Sequence, residues 1–352
     1  MNKYALLLKT GESELRALEN MIIPDDLLPI VELTRGRRSK NDKIGQISKR
    51  LDKIATIFHD KDIILDLTSD PELSNVQIDS FFNATNGYER WISFLEEQDQ
   101  KRLFRRIIPS LLVNTEDDEL ESNLQTQAKA LKKIFNSMAY RCDIEDDGCL
   151  EDIQAISPYL NDCESYIIID CGFIMPSDVS RCVPKAAAFI KQIHEMIPNA
   201  FFIMISTSFP DKLPEDDEYS IHLSELDLYD GVISKLDNIS IVYGDYGSIN
   251  PIRNDNIYMA RGWRPRIDTP LKNEIYYYRR RRGTLEYSTT YSIIAKLAYE
   301  DPRFPLFLKQ NWGIRQIVTA AAGSAPGASP SFWISVRMNI HIEQQLRRLG
   351  LL

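Results

Sequence analysis

Cysteine and histidine are both scarce in this chain of 352 residues, at five and four. No two of Cys142, Cys149, Cys163, Cys171 and Cys182 form a Cys-x-x-Cys pair, and none has a histidine at zinc-ligand spacing. A disulfide framework and a structural zinc are therefore not expected, and reduced, mostly buried thiols are. No apolar run reaches the roughly 18–20 residues of a membrane span, and the opening MNKYALLLKTGE has too short an apolar part and no cleavage site for a secretory leader. The expectation is a cytoplasmic protein with no membrane contact. Positive charge is in deficit, with a formal net charge of −9; this argues against a generally basic nucleic-acid coat but permits a local basic patch. A Gly-x-Gly-x-x-Gly turn is missing after the first apolar run, which continues Lys9-Thr10-Gly11-Glu12. That absence speaks against an open doubly wound sheet with a dinucleotide site.

What remains is an ordinary folded composition, 43% hydrophobic and 26% charged. Short apolar runs alternate with helical patterns: YALLLK from Tyr4, LPIVEL from Leu28, DIILDL from Asp62, RIIPSLLV from Arg106, AYRCDI from Ala139, YIIIDC from Tyr166, AFFIMIS from Ala200 and ISIVY from Ile239. Eight such runs within a typical barrel length of about 250 residues predict a (β/α)8, TIM-barrel-like α/β fold. Residues 1–250 are read as the barrel-like domain. Residues 251–352 are read as a C-terminal extension that supplies the last helix and a basic, aromatic-rich cap.

In such a barrel, chemistry sits at the carboxyl ends of the strands. Lys9, Glu32, Asp66, Asp143 and Asp170 end apolar rows there, and Asp245 follows the last. Period-two alternation sets Lys9 on the face of Ala5 and Leu7, Glu32 on that of Ile30, and Asp66 on that of Ile64. Carboxylates that converge repel one another unless a cation neutralises them, so Glu32, Asp66, Asp170 and Asp245 are candidate oxygen ligands for Mg²⁺ or Mn²⁺. Lys9, Glu32, Asp170 and Asp245 are the candidate catalytic set, with Lys9 or Arg261 available to transition-state charge. The plain alternative is that each acid caps a turn or a helix. His59, His194, His222 and His341 form no nucleophile triad by position and read as surface or core histidines.

The second local signal is basic. Between Arg253 and Arg282 nine cations face three anions, interleaved with Tyr258, Trp263 and Tyr276 to Tyr278. Arg261, Trp263, Arg264, Arg279, Arg280, Arg281 and Arg282 are the candidate ligand-binding residues, because guanidinium groups hold phosphates while rings stack on bases. A solvated arginine strand that pairs with acids elsewhere is the competing reading.

Several motifs, in order and spacing, resemble the beta protein family of phages, prophages and bacterial genomes. They are Lys9-Thr10-Gly11 with Glu14-Leu15-Arg16-Ala17-Leu18, Pro29-Ile30-Val31-Glu32-Leu33, Ile168-Ile169-Asp170, Ser208-Phe209-Pro210, Tyr243-Gly244-Asp245-Tyr246, Arg261-Gly262-Trp263 and Pro330-Ser331-Phe332-Trp333 ahead of Asn339-Ile340-His341-Ile342. The last usually reads Asn-His-His-Ile in the family, and Ile340 in place of the first histidine counts against a paired-histidine site here. The resemblance implies an accessory protein of phage and bacterial conflict, and it names no reaction. Three functions are therefore carried forward: a conflict or defence protein that binds nucleic acid, a nucleotide or another phosphate-bearing ligand; a Mg²⁺- or Mn²⁺-dependent phosphodiesterase or nuclease; and a non-catalytic scaffold for a protein partner in a defence complex.

Overall fold

The computed structural model describes residues 3–252 and 262–352. Among them the strands run β1 (Tyr4–Lys9), β2 (Leu27–Leu33), β3 (Asp62–Leu67), β4 (Arg106–Pro109), β5 (Ser137–Asp143), β6 (Glu164–Phe173), β7 (Phe201–Thr207), β8 (Glu218–His222), β9 (Ile241–Asp245), β10 (Arg266–Pro270) and β11 (Glu274–Arg279). Eight of these form one sheet in the order β4-β3-β2-β1-β9-β7-β6-β5. Its ends meet in a single parallel bridge, Ser110 to Ala139, where the Leu111 N–H donates to the Ala139 carbonyl at 2.8 Å. The result is a nearly closed (β/α)8 barrel, and its strands are the eight apolar runs that the sequence marks.

Apolar runs make these strands because both faces of a barrel sheet are covered, one by the barrel interior and the other by helices. Alternation sends Ala5, Leu7, Leu28, Ile30, Ile64, Ile108, Ala139, Ile168, Ile203, Ile205 and Val242 into one interior cluster. Gly244 shares that face: a Cβ there would stand 2.6 Å from Ile205 Cγ2 and 2.9 Å from the Ala5 carbonyl oxygen. The connecting helices, among them Ser48–Ile57, Leu120–Ile134, Gly148–Leu160 and Val179–Met196, fall between the strands as the alternating pattern predicts.

The chain divides into two compact units. The first comprises Met1–Thr10, Asp25–Ser206 and Asp227–Tyr246, and the second Gly11–Pro24, Thr207–Leu226 and Gly247–Leu352. A boundary at residue 250 thus captures only the last segment of the second unit. In that unit β10, β11 and β8 form an antiparallel sheet. Helix Pro330–Arg348 packs there on β10 and on helices Glu12–Glu19 and Trp312–Ala321. The core of the second unit includes Ile267, Tyr276, Tyr291, Ile317, Trp333 and Ile340. Strand β8 was not anticipated: EYSIH is mostly exposed and lacks the apolar content of the barrel runs. Among the described residues no helix is long and apolar enough to cross a membrane, and the five cysteines are free.

Candidate functional site

Strand register assembles the barrel mouth. Lys9 pairs with Glu32 across β1 and β2, and Glu32 with Asp66 across β2 and β3, so three polar ends stand side by side on the inner face. Lys9 Nζ lies 3.1 Å from Glu32 Oε1. From the opposite wall, Arg141 of β5 reaches into the row: Nη1 donates to Glu32 Oε2 at 2.8 Å and to Asp66 Oδ2 at 3.2 Å. Its Nε and Nη2 both donate to Asp170 Oδ2, at 2.9 and 2.6 Å. Tyr246 completes the group by donating its hydroxyl to Asp170 Oδ1 at 2.5 Å. Five charged side chains and a phenol from six segments thus share one network. Glu32, Asp66, Asp170 and Lys9 are all buried.

Three carboxylates meet two cations here, so the acids are unequal. Burial pushes the Glu32 carboxyl up, but the charges of Arg141 and Lys9 outweigh it and leave Glu32 below its ordinary value. Asp66 goes the other way: burial, reinforced by the Glu32 charge, raises it in spite of Arg141. Burial, together with the Asp170 charge, also drives the Tyr246 phenol well up. Burial alone would lower Arg141, yet Asp170, Tyr246, Glu32 and Asp66 hold its proton firmly. Such a mouth fixes an anionic Glu32 beside a carboxyl that takes up a proton more readily, the inequality on which acid–base chemistry depends.

The predicted residues divide accordingly. Lys9, Glu32, Asp66 and Asp170 converge. Asp245 does not, because Gly244 takes the inward position and turns Asp245 to the opposite face of β9, where Tyr4 and Tyr243 donate to it at 2.8 and 3.0 Å. Arg141 brings to Glu32, Asp66 and Asp170 the positive charge expected of a divalent ion, and among the described residues no three acid, histidine or cysteine side chains form a metal-holding group. Asp143 is exposed and accepts the Glu145 N–H at 2.8 Å, a turn-forming role. The histidines are dispersed: His59 is exposed beside Asp60, His194 lies against Phe202, His222 ends β8 and His341 is buried in a helix. Arg141 and Tyr246 escaped the sequence reading. The signal was present in the inward rows: Arg141 stands two residues after Ala139, and Tyr246 follows Val242 and Gly244.

The basic residues build a separate feature in the second unit. Arg264, Arg279, Arg280 and Arg281 line an open cleft of about 690 Å³ together with Asp217, Glu218, Tyr278 and Leu297. Two of the arginines are anchored. Arg264 donates to the Glu215 carbonyl at 3.0 Å and pairs with Asp217, and Arg279 donates to the carbonyls of Asp216, at 2.8 Å, and Pro214. Arg280 and Arg281 are exposed. Arg264 is held below its usual value, first by burial and then by the like charges of Arg279 and Arg281. Tyr276 and Tyr277 are fully buried and offer no stacking platform. Trp263 stacks on Tyr287 at 4.0 Å, and Arg282 covers the Tyr287 ring at 4.7 Å. Arg261 lies outside the described residues.

The family profile described as Beta protein matches residues 4–347. Protein beta of Enterobacteria phage P4 is 27% identical over 351 residues, which cover 97% of this chain and 92% of that protein. Among solved structures, a chitinase from Chromobacterium violaceum ATCC 12472 aligns at 11% identity and a TM-score of 0.36, over 97% of this chain and 99% of its own. The spore cortex-lytic enzyme SleL of Bacillus megaterium QM B1551 aligns at 10% identity and a TM-score of 0.37, over 96% of this chain and 74% of its own. Both structural likenesses are too weak to bear on chemistry.

Proposed function

The chain belongs to the beta protein family, and from that premise we propose that it binds a phosphate-bearing ligand, nucleic acid or nucleotide, in the arginine cleft of its second unit. The observation that carries this reading is the crowding of Arg264, Arg279, Arg280 and Arg281 around one open cleft against only Asp217 and Glu218. Like charges this close repel: after burial, the charges of Arg279 and Arg281 are what hold Arg264 below its usual value. A ligand with several anionic oxygens relieves that repulsion, and arginine forks match phosphate geometry. Arg264 and Arg279, fixed to the segment Pro214 to Asp217, supply a preformed wall, while the exposed Arg280 and Arg281 are free to close on the ligand. Buried Tyr276 and Tyr277 leave phosphate recognition, rather than base stacking, as the main source of affinity. We assign this binding to the conflict between phages and bacteria in the cytoplasm, a reading to which the relative in phage P4 lends only its phage source. The acidic barrel mouth has no part in this reading.

The test is fluorescence anisotropy with a labelled single-stranded oligonucleotide over a range of salt concentrations. Replacing Arg280 and Arg281 together with alanine is expected to weaken binding at least tenfold and to reduce the slope of log affinity against log salt by about 1.4, at roughly 0.7 per lost phosphate contact on a single strand. Equal affinity and equal slope in variant and unaltered protein would remove the proposal.

A further inference from the structure

Helix Pro330–Arg348 carries Arg337 into the interior of the second unit, where it is only 3% exposed. Its Nη1 donates to Asp268 Oδ2 at 2.9 Å. The other oxygen of the same carboxylate, Oδ1, lies 2.7 Å from Nε of Arg266. One carboxylate therefore serves two guanidinium groups and leaves a single positive charge over. Phe209 covers both cations, with its ring centre 3.6 Å from the Arg337 guanidinium carbon and 5.5 Å from that of Arg266. Arg337 Nε is buried with no hydrogen-bond partner among the described residues. A guanidinium seldom yields its proton, yet burial lowers Arg337 to about 10, with Asp268 opposing and Arg266 adding to the effect. A buried charge without a full counter-charge and a buried N–H without an acceptor are both unfavourable. An oxyanion would satisfy the two at once, approaching in the plane of a guanidinium whose face Phe209 already occupies.

We propose that Arg337 and Arg266, with Phe209 beside them, form a second anion site that takes a single phosphate group. It goes beyond the cleft reading, since it uses none of the cleft arginines, although Arg266 stands opposite Arg279 in the β10–β11 register. The experiment is thermal unfolding of the full chain at constant ionic strength, with inorganic phosphate, a nucleoside monophosphate or chloride. It compares the unaltered protein with Arg266→Gln and with the Arg280→Ala/Arg281→Ala pair. Phosphate is expected to raise Tm saturably, by roughly 2–5 °C, in the unaltered protein and in the cleft variant, and to lose this effect in Arg266→Gln. A larger rise with the monophosphate identifies a nucleotide as the source of the phosphate group, and an equal rise identifies the free ion.

Chloride acting as well as phosphate, a rise that survives Arg266→Gln, or no rise at all would overturn the site. Loss of the rise in the cleft variant would also overturn it, by assigning the phosphate to the cleft. Should Arg266→Gln not fold, titration calorimetry of the cleft variant decides: heat from one phosphate site supports the proposal, and its absence refutes it.

Discussion

Arg141 holds more of the mouth together than any acid does, since its guanidinium reaches Glu32, Asp66 and Asp170. Removing one partner of a buried ion network leaves the others uncompensated, and Arg141→Met is expected to lower unfolding free energy by about 2–4 kcal/mol, the side chain being partly exposed. Arg141→Lys should recover little of this, because a point charge cannot bridge three carboxylates as a fork does. Urea unfolding measures both. The acids also give stability a pH dependence of opposite signs. Asp66 has a folded value above its ordinary 3.8, so its contribution is complete below that value and is lost as pH rises through the raised one. Glu32 is held below 4.5, so its contribution is present above 4.5 and is lost as pH falls through the lowered value. Asp66→Asn should therefore flatten the decline in stability as pH climbs from about 4, read as denaturation midpoints across pH; an unchanged decline would contradict the shift. Lys9, Glu32, Asp66 and Asp170 were legible because each ends an apolar row with a two-residue period. Their dependence on Arg141 was not, since the alternation that turns Arg141 inward does not say which acids it reaches across the barrel. Asp245 misled for a local reason: only the alternation through Gly244 and Tyr246 tells which way it turns.

At the scale of elements, helices in the second unit meet through Asn339. Its Nδ2 donates to the carbonyls of Ala17 at 2.9 Å and Asn20 at 3.3 Å, and its Oδ1 accepts the Gly313 N–H at 3.0 Å. Three helices far apart in sequence are thereby tied at one amide. Gly313 permits the approach, since a Cβ there would stand 2.7 Å from both Ile340 Cγ1 and the Val336 carbonyl. Asn339→Leu leaves the Gly313 N–H and two carbonyls without their partner and should cost about 1–3 kcal/mol in denaturant unfolding. A neutral result would mean that water replaces the amide. Sequence periodicity marks an amphipathic segment near Glu286 to Tyr299 and a terminal helix from about Ser331 to Leu349, close to the observed Tyr287–Glu300 and Pro330–Arg348. It could not find that Glu12–Glu19, inside the stretch 1–250 assigned to the barrel-like domain, packs on the last of them, because amphipathicity says which face is buried and not against what.

For the whole molecule, the decisive feature is that the second unit is drawn from three stretches of chain. Strand β8 pairs with β11, and Leu15, Ala17 and Leu18 of the first helix are buried where that helix meets Pro330–Arg348. A fragment of residues 1–250 keeps β8 and this helix but loses what they pack on. It is expected to bind the dye ANS and to aggregate, and a monodisperse fragment with a cooperative thermal transition would show that the barrel unit suffices alone. The barrel has its own long-range demand, for β1 takes β2 on one side and β9 on the other, with Tyr4 opposite Tyr243. On a ribosome adding about 5–20 residues per second, roughly 12–50 s separate the emergence of these two strands. Throughout that interval the first strand shows the cell a row of unsatisfied amides, a template for any passing strand. Safe synthesis therefore depends on keeping β1 apart from strangers until its latest barrel partner arrives.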